Sequence, residues 1–144
     1  MNLLTTMLMV MLGGAMGGAA RFLAQEAGTR WTTLPGWTAI FAVNILGSLL
    51  IGVGYGWLHG LTLLEAHAAL DSIQRFQDSQ SINDGMVLLL TGFCGGLTTF
   101  STFSLDNLFL AHGQRGQLTC NIVGCLVLGV LAAWLGLSIG GVLA

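Results

Sequence analysis

Thirteen residues from Gly92 to Ser104, GFCGGLTTFSTFS, bring together the groups in this chain best suited to handling an ion. They place three glycines, three phenylalanines and a run of Ser and Thr in an apolar stretch. Neither a catalytic dyad nor a nucleotide-binding loop is present, so the chemistry on offer is coordination and hydrogen bonding. Gly95 and Gly96 lack the side chains that hold a regular helix, and the Thr98 and Thr99 hydroxyls offer local partners to freed backbone groups. A helix break near residues 95–98 is therefore expected. It would leave carbonyl oxygens without helical partners, and such hard oxygen ligands suit a small hard cation. Within a bilayer, unwound backbone survives only where protein or a wet cavity surrounds it.

Phe100 and Phe103 follow at i, i+3 spacing, so both rings project from one face of the helix after the break. An aromatic ring is positive at its edge, so ring edges can face an anion without holding it too tightly to leave. Ordinary packing is the other use of two such rings. Ser101, Thr102 and Ser104 either donate hydroxyls beside the rings or bond back to their own helix. Three further positions carry polar groups into apolar surroundings. Asn44 either joins two helices or faces a water-filled path. Arg21 either anchors a helix end at the interface or faces water. Asn121, Cys125 and Gly129 share one face at i, i+4, i+8.

These groups must be positioned by membrane helices. Of 144 residues, 54% are hydrophobic and 7% charged, too few charges to wet the surface of a soluble domain. The net charge of −2 and the lack of a basic run leave no basis for nucleic-acid binding. Cys94, Cys120 and Cys125 lack the spacing of a zinc site or a redox pair and are expected to pack as small apolar residues. His59 and His67 stand eight apart without further ligands, so no metal site is expected from them.

Four spans are predicted, at about residues 3–24, 36–58, 86–111 and 118–142, forming a single transmembrane domain. The first is longer than a signal-peptide core and no small-residue cleavage site follows it, so it is expected to remain as a spanning helix. Gly13, Gly14, Gly17 and Gly18 give two overlapping GxxxG spacings, which allow backbones to approach closely. Trp31 and Trp37 flank the first connection as interfacial aromatics do. Residues 59–85 mix Leu61, Leu64 and Ile73 with Glu65, Asp71 and Arg75, predicting a short interfacial helix followed by a loop from Gln77 to Gly85. With four spans, Arg75 falls on the side of the termini and Arg21, Arg30 and Arg115 on the other, a weak bias that allows insertion in both orientations.

Three stretches together resemble the Fluc-type fluoride channels, the CrcB family: Gly13 to Arg21 (GGAMGGAAR), Val43 to Ser48 (VNILGS) and the Gly92 to Ser104 run. The resemblance covers the chain except residues 59–85. It implies an all-α membrane protein with four transmembrane helices, the third broken, assembled as a dual-topology antiparallel homodimer with two pores. It implies a passive channel rather than an enzyme, in the cell membrane of a prokaryote, which releases cytoplasmic fluoride and lowers its toxicity. Fluoride would enter as the neutral acid, dissociate, and leave as the anion. By the same resemblance the pore would use Asn44, Phe100, Phe103, Ser101 and Thr102. Arg21 would face an aqueous vestibule, and Asn121 and Cys125 would lie on a polar track. A structural sodium ion would be held by the Gly95 and Thr98 carbonyls. The sequence departs from the family at Ile40, where Thr is common, at Asp106 in place of Glu, and at Cys125 in place of Ser.

Two other functions fit parts of the pattern. A small dual-topology, proton-coupled cation exporter would need a membrane-embedded acid, but the first, second and fourth spans contain no Asp or Glu, and Asp106 comes late in the third. A structural helix-assembly subunit would account for the GxxxG spacings but not for the run from Gly95 to Phe103.

Overall fold

The structure, a computed structural model, describes residues 3–31, 33–68 and 88–143. They form α1 (Leu3–Trp31), α2 (Trp37–Ala68), α3 (residues 88–97), α4 (Phe100–Ala111) and α5 (Arg115–Leu143). Among the described residues, four segments are long and apolar enough to cross a membrane: Leu3–Trp31, Trp37–Leu58, Leu88–Ala111 and Arg115–Leu143. The third comprises α3 and α4 in line. The helical part of the 59–85 stretch, as far as Ala68, continues α2 and does not start a new element. The expected Gln77–Gly85 loop, and Arg75 on which the charge bias depends, lie outside the described residues.

Lipid gives apolar side chains no reason to prefer one another, so the helices associate through close backbone approach. Two pairs are built in the same way. In the first, Gly13 and Gly17 of α1 lie against the backbone of Leu89 and Phe93, while Gly92 and Gly96 of α3 lie against that of Val10 and Gly14. In the second, Gly52 and Gly56 of α2 meet the carbonyls of Ala133 and Leu137, and Gly136 and Gly140 of α5 meet those of Leu49 and Val53. Each helix contributes two glycines four residues apart, so one face is bare for a full turn.

The pairs are joined where α2 crosses the third span: Gly54 faces the Leu90 side chain and Gly47 faces the Thr98 methyl. Ile40, Val43, Cys94 and Leu97 are buried around this crossing. Short connections keep neighbours antiparallel. The Pro35 carbonyl accepts from both the amide and the hydroxyl of Thr38 to start α2. Gly113, at φ +153°, turns the chain between α4 and α5 in a conformation that disfavours other residues. At one end of the bundle, Trp37 Nε1 donates to Gln117 Oε1 at 2.8 Å and the Trp37 ring stands edge-on to Phe41, tying the starts of α2 and α5 together.

Candidate ion site

The helical hydrogen-bond ladder of the third span stops at Thr98 and Thr99. Thr98 still closes the turn before it: its amide and its hydroxyl both donate to the Cys94 carbonyl, at 2.9 and 2.8 Å. Thr99 turns extended, at φ −148° and ψ 127°, and caps α4 by accepting from the Thr102 amide through Oγ1. A hydroxyl at this position satisfies one of the amides left over at a helix start.

The other partner of Thr99 comes from α2. Asn44 Oδ1 accepts from the Thr99 amide at 2.9 Å, and Asn44 Nδ2 donates to the Thr99 carbonyl at 3.3 Å. One carboxamide thus engages both polar groups of a single residue. In an uninterrupted helix the Thr99 amide would serve the Gly95 carbonyl and the Thr102 amide the Thr98 carbonyl. Asn44 takes the first and the Thr99 hydroxyl takes the second. The two carbonyls are the oxygens named above as ligands of a small cation, and their release from the ladder makes them chemically suited to that task.

A groove of about 490 Å³ opens beside the break. Asn44, Ser48, Thr98 and Thr99 supply its polar lining, Phe100, Phe103, Ile122 and Leu126 its apolar lining, and Cys125 a thiol. The Phe100 and Phe103 centroids are 6.2 Å apart with ring planes inclined at 37°. Phe103 is partly covered, whereas Phe100 is 81% exposed on the chain. Asn44 Nδ2 also points toward Cys125 Sγ at 4.0 Å, so the thiol lies beside the polar lining as a weak partner. Ser48 turns back to the Asn44 carbonyl at 2.9 Å.

The remaining candidates separate. Ser101 and Thr102 place their hydroxyls 3.1 and 3.4 Å from Thr99 Oγ1, within the cap. Ser104 bonds back to the Phe100 carbonyl at 2.8 Å. Gly95 is exposed one turn before the break, and Arg21 is half-buried on α1 and takes no part in the groove lining. Of the cysteines, Cys94 is buried, Cys125 lines the groove and Cys120 is exposed.

Asn121 does not line the groove. It is 1% exposed and donates from Nδ2 to Asn107 Oδ1 at 2.8 Å, joining α5 to α4. Asn107 is a functional residue absent from the sequence-based expectations, and its signal is the same as that of Asn44: a carboxamide in an apolar span needs a partner. It also sits one turn after Phe103 on the same face, so the pair fixes the lateral position of the ring-bearing helix. Removing one member leaves the other buried without its bond, which costs about 1–3 kcal/mol. Asn107→Leu is therefore expected to destabilise the folded protein in detergent by that amount. The Asn107→Leu, Asn121→Leu double variant should be closer to wild type, and thermal unfolding of the three proteins checks the order.

Thr99 is the other residue underestimated by sequence. Beyond the hydroxyl partner expected of it, Thr99 supplies the cap and both backbone groups held by Asn44. A Thr before Phe-Ser-Thr-Phe is an N-cap signal of the ordinary kind.

Comparison with known proteins adds a separate line of support. Residues 8–137 match the family described as CrcB-like protein, Camphor Resistance (CrcB). A fluoride-specific ion channel FluC from Acidobacterium capsulatum is 38% identical over 139 residues, 92% of this chain and 94% of its own. A fluoride-specific ion channel FluC 2 from Cutibacterium acnes is 38% identical over 138 residues, 94% of this chain and 97% of its own. A FluC from Enterobacter sp. is 32% identical over 139 residues, with 92% and 94% coverage.

Proposed function

Because the chain belongs to the CrcB family, we propose that it is a passive fluoride channel of the cell membrane, which lets cytoplasmic fluoride out and lowers its toxicity. The observation that carries this proposal is the groove at the break, whose lining combines two phenylalanine rings with carboxamide and hydroxyl groups. Selectivity sites in channels work by replacing an ion's hydration at close quarters, with each contact weak enough to release it again. Ring edges and the second Asn44 amide hydrogen are weak donors of that kind. The apolar residues Ile122 and Leu126 add no charge that would trap an anion. No nucleotide or proton donor is needed, since fluoride leaves down its own gradient.

The working unit is an antiparallel homodimer with two pores. Two features of the single chain favour it. Phe100 stands 81% exposed beside hydroxyl groups, an arrangement suited to cover by a second copy. The groove is also open toward the surface of the single chain. Arg21 lies toward the vestibule in this assembly, where its positive charge raises the local concentration of anions. Cys125 continues the polar side, and Asn121 supports the ring-bearing helix from behind through its bond to Asn107.

The Gly95 and Thr98 carbonyls would hold a structural sodium ion at the dimer centre. Their fit rests on the loss of their helical amides to Asn44 and to the Thr99 hydroxyl. Sodium would supply a fixed positive charge that holds broken helices together. The protein's own part is to present carbonyls that no amide competes for.

The deciding experiment is efflux from liposomes containing the purified protein, with fluoride and chloride compared under the same gradient. Fast fluoride release with little chloride release is the expected result. Liposomes with folded, dimeric protein that release no fluoride would rule out the channel, and coupled proton movement would indicate an exporter instead.

A further inference from the structure

We propose that Asn44 acts on the break itself, as a positioning residue that takes the place of the missing helical partners, and that this role is separate from any contact with a conducted anion. The proposal deepens the channel function and rests on it only for its consequence in conduction. The two bonds between the Asn44 carboxamide and Thr99 reproduce what one peptide group offers another: an acceptor for N–H at 2.9 Å and a donor to C=O at 3.3 Å. Thr99 is 8% exposed, so water is a poor substitute for either bond. A buried amide left unpartnered would seek another acceptor, and for Thr99 the regular helical one is the Gly95 carbonyl one turn back. Asn44 thus decides between a continuous helix and a broken one.

The clamp is held in place from its own side. Gly47, facing the Thr98 methyl, lets α2 approach closely enough for a side chain as short as Asn to reach Thr99. The consequence is that the break, with its two released carbonyls, is formed by the protein before any cation binds. An Asn44 variant would lose conduction through the collapse of the break even where the rings remain intact.

The test uses isotope-edited infrared spectroscopy on the full-length protein in sodium-free, fluoride-free potassium buffer, with the Gly95 carbonyl labelled in one sample and the Thr99 carbonyl in another. For Asn44→Val the Gly95 band should shift to lower wavenumber as the Thr99 amide returns to it. In buffer alkaline enough to ionise the new carboxyl, Asn44→Asp keeps an acceptor for that amide and loses the donor. Its Gly95 band should stay as in wild type and its Thr99 band should shift to higher wavenumber. A Gly95 band unchanged in Asn44→Val overturns the proposal, since the break would then be set by the Gly-Gly-Leu-Thr-Thr segment alone. If Asn44→Val does not fold, Asn44→Asp decides: an unchanged Thr99 band overturns the proposal. Neither band depends on fluoride movement, so a protein that conducts nothing still tests the clamp, and a failed clamp leaves the efflux result standing.

Discussion

Phe100→Ile is expected to lower fluoride efflux from liposomes by roughly 100-fold, leaving chloride efflux low and the protein folded. Isoleucine keeps the apolar bulk and removes the ring, so the variant isolates the electrostatic part of the site. A fixed dipole aimed at a charge in a water-poor site is worth about 3 kcal/mol when removed, close to two powers of ten in rate. Phe103→Ile should behave alike, because the two rings lie 6.2 Å apart on one face and line the same groove. Size-exclusion chromatography of each variant separates a lost site from a lost fold. Wild-type efflux from a well-folded Phe100→Ile protein would take the ring out of the fluoride path.

The second large effect is on assembly of the helices. Gly17→Ala should destabilise the protein by about 1–3 kcal/mol, at the upper end of that range, as overpacking does in a tight interior. The added methyl would land on the Phe93 carbonyl oxygen and within 2.7 Å of the Leu97 amide nitrogen. Both obstacles are backbone and cannot rotate away, so α1 and α3 must separate. The neighbouring Gly18→Ala change meets nothing in the chain within 4 Å. It should be neutral, or stabilising by up to about 1 kcal/mol, since alanine favours helix over glycine. Thermal unfolding of the two variants in the same detergent reads the contrast. Because α3 ends at the break, a wider α1–α3 spacing is also expected to displace Gly95 and so to weaken conduction in Gly17→Ala.

Much of this protein is legible in its sequence because a membrane imposes few and strong rules. Apolar length specifies four crossing segments, and glycine spacing in α1 marks a face for close packing, since lipid leaves no other basis for helix pairing. Polar side chains in apolar spans mark Asn44 and Asn121 as groups that need partners, and three short motifs identify the family. The identity of those partners is not local information. Asn44 lies 55 positions before Thr99 in the chain, and Asn121 lies 14 after Asn107 across a turn, so both bonds exist only after α2, α4 and α5 have packed. The Gly-Gly-Leu-Thr-Thr segment makes a broken helix inexpensive. The extended residue falls at Thr99 because there a carboxamide from another helix replaces the lost bonds. The sequence by itself therefore determined which groups could not face lipid, a matter of transfer free energy residue by residue. Only the tertiary structure decided what each of them faces instead, because a hydrogen bond in a water-poor interior depends on distance and direction between elements that the chain order keeps apart.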